Sequence, residues 1–254
     1  MYTKQERQKL LEKIEEFMVE DPGIEGLVRI GSCAQDFKDL YSDIDLMAGC
    51  YAGTVLEIVK QRLTGFFTES GAFYIDSREW GSVALGLSAY WENGLSVDLS
   101  FMHTEQMVIR SARHKLSFRK TVHFSKVYTQ KCLDFDSTPS QPVENNDHAF
   151  VYCLRKAEIA ICRGEWIYAD MMLGEARQLI LRIQAAKEGR NIHQFKAWNS
   201  LEKVFLERLE DTYPMVRNRE ELTRAKECIL AIYKATVANF DVIQEKLLSC
   251  CDDK

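Results

Sequence analysis

Residues 27–46 read LVRIGSCAQDFKDLYSDIDL. The run 27–30 is short and apolar, has strand character, and ends at Gly31-Ser32. Ten intervening residues later, Asp43-Ile44-Asp45 falls inside a second apolar strand that continues to residue 48. Side chains two apart on a strand point to the same side, so Asp43 and Asp45 project together and Ile44 faces away. Two carboxylates on one face of a half-buried strand repel each other, and a cation is the usual remedy. Mg2+ suits them, because it takes oxygen ligands and is commonly held by one or two carboxylates plus substrate phosphates. Gly31 allows a phosphate to approach the backbone closely, and Ser32 offers it a hydroxyl and an amide N–H.

The clearest β signal lies at 71–102, where 83–91 and 95–102 are rich in strand-forming residues and are separated by Asn93-Gly94. That dipeptide predicts a β-hairpin closed by a type I′ turn. In the second strand of the hairpin Val97, Leu99 and Phe101 share one face, and Asp98 and Ser100 the other. If this strand lies beside the one bearing Asp43 and Asp45, three carboxylates converge. Such a group could hold two metal ions, or one metal ion plus a general base.

The Gly-Ser, ten-residue gap and Asp-x-Asp pattern, followed by a later strand Asp, resembles the signature of the nucleotidyltransferase superfamily related to DNA polymerase β. The motif spans some twenty residues, 27–46. The order of domains looks most like the two-domain antibiotic nucleotidyltransferases, among them the aminoglycoside and lincosamide enzymes. The resemblance implies Mg2+-dependent transfer of a nucleoside monophosphate, AMP from ATP in the first instance, to a hydroxyl of a small acceptor, with release of pyrophosphate. It implies that Gly31 and Ser32 hold the triphosphate and that Asp43 and Asp45 bind Mg2+. Asp98 is then the third metal ligand or the base that takes the acceptor's proton. Arg155-Lys156, followed by Arg163-Gly164-Glu165-Trp166, resembles a stretch of lincosamide-type relatives. This makes Arg155, Lys156 and Glu165 candidates for the rest of the pocket, against the simpler reading of a solvated helix face.

Outward from the motif, Leu10, Leu11, Ile14, Phe17 and Met18 give 4–19 helical periodicity, stopped by Asp21-Pro22-Gly23. A helix is expected at 54–63 with Thr54 as N-cap, and another at 104–113. Residues 115–142 are mixed in character, and 137–142, STPSQP, has linker composition. From about residue 144 helix formers dominate, with periodic stretches at 146–163, 165–187, 198–210 and 218–247. The expected fold is α+β: an N-terminal nucleotidyltransferase α/β domain with a mixed sheet at 1–140, then an α-helical bundle at 141–254.

The formal net charge of −5 is a poor start for a protein that coats nucleic acid, so no stable DNA binding is expected. The basic stretch 110–120, RSARHKLSFRK, reads as a local surface patch in preference to a phosphate or RNA contact. No apolar run is long enough to span a membrane, and the charged N-terminal stretch lacks the apolar core of a signal peptide. The expected compartment is the cytoplasm. The 8 cysteines show no zinc spacing, and His103, His114, His123, His148 and His193 sit in no nucleophile arrangement. The partners expected are a nucleoside triphosphate and a small hydroxylated acceptor, with a homodimer left open. Two alternatives stand: modification of a protein or RNA in the manner of toxin or antitoxin relatives, and a nucleotide-binding protein without catalysis.

Overall fold

The computed structural model describes residues 2–35, 42–111, 113–137, 147–190 and 195–237. Most of the expected linker at 137–142, His193 and the far end of the helix expected at 218–247 lie outside them. The chain divides into two compact units, Met1–Thr138 and Pro139–Lys254. No helix among the described residues is long and apolar enough to cross a membrane.

The first unit begins with α1 (Lys4–Glu20), which starts on a capping box between Thr3 and Glu6. Strands β1 (Ile24–Ile30) and β2 (Ile44–Cys50), helix α2 (Leu56–Glu69), strands β3 (Tyr74–Trp80), β4 (Ala84–Tyr90), β5 (Ser96–His103) and β6 (His114–Arg119), and helix α3 (Val122–Ser137) follow. The strands form one six-stranded sheet in the order β3-β4-β5-β2-β1-β6. Only β2 and β5 run parallel; the other neighbours are antiparallel.

Alternation along each strand gives the sheet two unlike faces. One presents Leu27, Leu46, Ala48, Leu87, Val97, Leu99 and Phe101 to a core completed by Leu10, Leu11, Ile14 and Met18 of α1 and Val59, Leu63 and Phe67 of α2. The Asp21-Pro22-Gly23 stop ties the two helices together. The buried Asp21 carboxylate accepts from Arg62 of α2 at 2.5 and 2.7 Å and from the Gly23 N–H at 2.8 Å.

The opposite face is covered over one part only. There Val28, Met47, Met102, Met107 and Ile109 pack with Phe124 of α3. Gly26 and Gly49, paired across β1 and β2, make room for that ring: a Cβ on either would lie 2.6 Å from Phe124. Toward the start of β2 and across β5, β4 and β3 the same face carries polar residues instead.

Three local expectations differ from the structure. The helix near residue 54 begins at Leu56 with Val55 as a cap that makes no side-chain bond, because the Thr54 hydroxyl reaches back to the Gly23 carbonyl. Among the described residues of 104–113 no α-helix forms. A 3-10 turn at Thr104–Gln106 gives way to a stretch in which Met107 and Ile109 are buried while Val108 is exposed, a two-residue alternation incompatible with a helical face. The hairpin closes through three loop residues, 92–94, rather than through a type I′ pair. Trp91 N–H donates to Leu95 O, Gly94 N–H donates to Trp91 O, both at 2.9 Å, and Gly94 has φ 88°. This is the pattern of a type I turn followed by a left-handed residue.

The second unit is helical: α4 (Asp147–Arg163), α5 (Trp166–Lys187), α6 (Lys203–Glu210) and α7 (Arg219–Thr236). Its core centres on Leu154, Ala157, Leu173, Ala176, Ile180, Ile229 and the stacked pair Phe150 and Tyr233.

Candidate active site

The parallel pairing of β2 with β5 places Asp45 directly beside Asp98, with Ile44 opposite Val97 and Leu46 opposite Leu99. Adjacent strands lie about 4.8 Å apart, so the two carboxylates are immediate neighbours on the face not covered by α1 and α2. Asp43, just ahead of β2, joins the same side, since Ile44 between them is fully buried in the apolar core. A charged row therefore occupies one face of a sheet whose reverse side, around the same strands, packs Ile44, Leu46, Val97 and Leu99 into the apolar core.

Each carboxylate is held. Ser96 Oγ donates to Asp43 Oδ1 at 2.6 Å. Ser88 of β4, directly opposite Asp98, is buried and donates to Asp98 Oδ1. Asp45 lies against the strand end of β1: Ile30 is its partner, and Gly31 follows with φ 60°. A Cβ at Gly31 would stand 3.1 Å from Asp45 Oδ2, so both the left-handed conformation and the close approach favour glycine here. Gly31 and Ser32 open a 3-10 turn, Gly31–Gln35.

Asp43 is positioned from behind by α1. Arg7, fully buried, donates from Nη1 to Ser42 O at 2.9 Å, and Tyr2 OH donates to the same carbonyl at 3.1 Å. The Arg7 guanidinium lies 5.6 Å from the Tyr2 ring centroid. Both residues were unremarked in the sequence, yet a signal exists: Arg7 falls on the apolar stripe of α1, in step with Leu10, Leu11 and Ile14. A charge on a buried stripe needs a partner, and the carbonyl before Asp43 is one.

Among the described residues, no three His, Cys, Asp or Glu side chains close around a common point to make a metal cage. The expected convergence of Asp43, Asp45 and Asp98 is thus a shared face, with Ser96 and Ser88 holding the outer two carboxylates. A shared face still fits Mg2+, which asks the protein for only one or two carboxylates when phosphates and waters complete its shell. The donor set is all oxygen. Cys33, at the same strand end, is buried, and burial pushes its thiol up to about 12, with Arg29 opposing and Asp45 adding to the shift.

A pocket of about 280 Å3 opens on this face. Asp45, Asp98, Ser88 and Ser100 line one part, and Arg78 and Trp80 of β3 another. Ser88, Arg78 and Trp80 were not among the expected site residues. The register of the hairpin would have found Ser88, but only with the correct turn. The type I′ alternative would have set Ala89, not Ser88, against Asp98, because a one-residue slip exchanges the two faces.

Arg155 and Lys156 lie on α4 of the second unit. Arg155 is exposed, and Lys156 Nζ stands 5.4 Å from the Tyr152 ring centroid. Glu165 is the exposed residue that precedes α5. Of the histidines, His103 pairs with the Thr54 carbonyl and His114 with the Tyr128 hydroxyl, while His123 lies 3.0 Å from Glu105. Lys120, at the end of the basic stretch, donates to Asp21 O.

No family model and no curated protein matches the chain. Among solved structures it is similar to an aminoglycoside 6-adenyltransferase from Bacillus subtilis, at 14% identity and TM-score 0.40, over 99% of this chain and 98% of that one. It is also similar to a nucleotidyltransferase-like protein from Exiguobacterium sibiricum, at 13% identity and TM-score 0.41, over 95% and 78% of the two chains. Overlap this low leaves the sheet face itself to carry the functional reading.

Proposed function

We propose that the chain is a nucleotidyltransferase: it binds a nucleoside triphosphate, ATP in the first instance, with Mg2+ on this face and transfers the nucleoside monophosphate to a hydroxyl of a small acceptor. The observation that carries the reading is the parallel pairing of Asp45 with Asp98, next to a left-handed Gly31 that abuts Asp45. In this reading the backbone at Gly31 and Ser32 cradles the phosphates, and Asp43, Asp45 and Asp98 face the α-phosphate. Mg2+, when bound, supplies charge neutralisation on the phosphate oxygens. Asp43 and Asp45 would hold it, with Asp98 as third ligand or as base.

The acceptor oxygen forms a bond to the α-phosphorus, and the bond from that phosphorus to the bridging oxygen breaks. Pyrophosphate leaves with the electron pair, and the hydroxyl proton passes to a carboxylate, Asp98 where that residue serves as the base rather than as the third ligand. Ser88 supports this role by donating to Asp98 Oδ1 and so restricting the carboxylate. An aminoglycoside or lincosamide is the acceptor class to try first.

The test is calorimetric binding of a non-hydrolysable ATP analogue, with and without Mg2+, to the native chain and to Asp43→Asn/Asp45→Asn. Mg2+-dependent binding lost in the double variant is the expected result, followed by a pyrophosphate-release screen of acceptors. A well-folded native chain that binds no triphosphate analogue, with or without candidate acceptors present, overturns the proposal. Binding without product for any acceptor would favour the non-catalytic alternative.

A further inference from the structure

Trp80 ends β3, one of the two edge strands of the sheet. Its side chain is about half exposed, at 51%, and it belongs to neither core of the first unit. It is nonetheless seated. The benzenoid end of the indole lies over Gly86 of β4, where a Cβ would come within 2.6 Å of Cη2 and 2.7 Å of Cζ3. A glycine inside a strand weakens it and marks a close approach, and here the approach is that of a half-exposed ring to the floor of the acidic pocket. Gly86 is paired with Ser100, and its neighbour Ser88 with Asp98. The ring's seat is thus a diagonal step from Asp98, about 7–8 Å. Arg78, two residues before Trp80 on the same side of β3, lines the same pocket.

The strand order gives this shelf a direction. Gly31 lies on the β1 side of Asp45, whereas Trp80 and Gly86 lie on the far side of Asp98. In-line displacement at phosphorus needs the leaving and attacking oxygens on opposite sides. With the pyrophosphate end of the nucleotide at Gly31, the attacking hydroxyl arrives from the side of β5, β4 and β3, over Trp80.

We propose that Trp80, seated on Gly86, is the platform on which the acceptor packs, and that the acceptor carries its hydroxyl on a ring with one apolar face. The inference rests on the nucleotidyltransferase reading for its direction. An indole face rimmed by Ser88, Ser100, Asp98 and Arg78 offers such a ring an apolar bed and hydrogen-bonding edges. An open-chain polyol gains nothing from the bed.

The test uses the full-length chain with the ATP analogue and Mg2+ present. Phenyl glucoside, as a ring-borne hydroxyl probe, and sorbitol, as an open-chain one, are titrated by saturation-transfer NMR into the native chain, Trp80→Ala, Trp80→Phe and Gly86→Ala. The expected result is binding of the ring probe that weakens about tenfold in Trp80→Ala, or about 1.4 kcal/mol. Trp80→Phe should keep most of it. Gly86→Ala, whose added methyl displaces the indole, should lose it with Trp80 still present. Binding of the ATP analogue should be unchanged in all three. Equal ring binding by native and Trp80→Ala overturns the proposal, as does no ring binding by the native chain or equal binding of sorbitol. A loss of ATP-analogue affinity in Trp80→Ala also overturns it, since the shelf would then hold the base. If no chain binds the analogue, the nucleotide reading fails by itself, and the ring titration still decides the shelf.

Discussion

Replacing Gly31 separates two demands that the structure makes of one residue. At φ 60° a residue with a Cβ meets a penalty of about 1–2 kcal/mol. For a chain of this size that corresponds to a fall in Tm of about 2–8 °C. The second demand is space, because the new Cβ stands 3.1 Å from Asp45 Oδ2 and the carboxylate must give way. Gly31→Ala meets both difficulties. Gly31→Asn meets chiefly the second, since asparagine enters the left-handed region far more readily than alanine. Thermal unfolding followed by circular dichroism, with calorimetry of the ATP analogue and Mg2+, reads them apart. The expected outcome is a destabilised Ala variant, an Asn variant within about 2 °C of native by the same scale, and at least tenfold weaker analogue binding in both. An Asn variant that binds like the native chain would refute the link between Gly31, Asp45 and the phosphates, leaving Gly31 as a turn residue. An Ala variant with native Tm would refute the strain argument.

Three further outcomes follow from residues around the site. Burial would by itself raise the pKa of Asp21, but the hydrogen bonds from Arg62 and the Gly23 N–H and the charges of Arg62 and Lys120 outweigh it and hold the carboxyl below its ordinary value. Its folded pKa is thus below the unfolded one. The stabilisation is complete above the unfolded value of about 3.9 and disappears as pH falls from there through the folded value. Asp21→Asn should cost about 1.5–3 kcal/mol at neutral pH and flatten the acid limb of a urea stability series; an unchanged acid limb would contradict the sign. Gly49→Ala puts a Cβ 2.6 Å from the Phe124 ring and 2.7 Å from Thr104 Oγ1. It should cost about 1–3 kcal/mol in urea denaturation, part of it recovered by Phe124→Leu, whereas no loss would mean that α3 is free to lift. Cys33, buried and with its thiol pushed up to about 12, should resist iodoacetamide at pH 8 while the exposed Cys162 is alkylated. Equal labelling by mass spectrometry would show that the strand end opens.

Much of the scaffold is legible because burial is periodic. The stripe of Leu10, Leu11, Ile14 and Met18 marks α1, and the alternation of Val97, Leu99 and Phe101 against Asp98 and Ser100 marks β5 with its faces. The same alternation gives Asp43 and Asp45 one side. Local pattern misled where chemistry at a distance decided. Thr54 looks like an N-cap, but its hydroxyl is drawn to Gly23 O. Residues 104–113 look helical by composition, but Met107 and Ile109 enter a core in extended form. The edge strands β3 and β6 carry mixed, partly exposed side chains, so neither shows the alternation that reveals β5.

By itself the sequence determined an α+β chain with two aspartates on one strand face, a third on the polar face of a hairpin strand, and a glycine-serine turn between strands. These are properties of spacing along the chain, and dihedral geometry converts spacing into direction without reference to anything else. Three contacts depended on the tertiary structure: Asp98 beside Asp45, Ser88 opposite Asp98, and Arg7 behind Ser42. Each joins residues distant in sequence or separated by a turn whose type sets the register. In the parallel pairing of β2 with β5 the apolar sides of both strands share the core of α1 and α2. The polar sides of both strands are thereby brought together on the opposite face of the sheet.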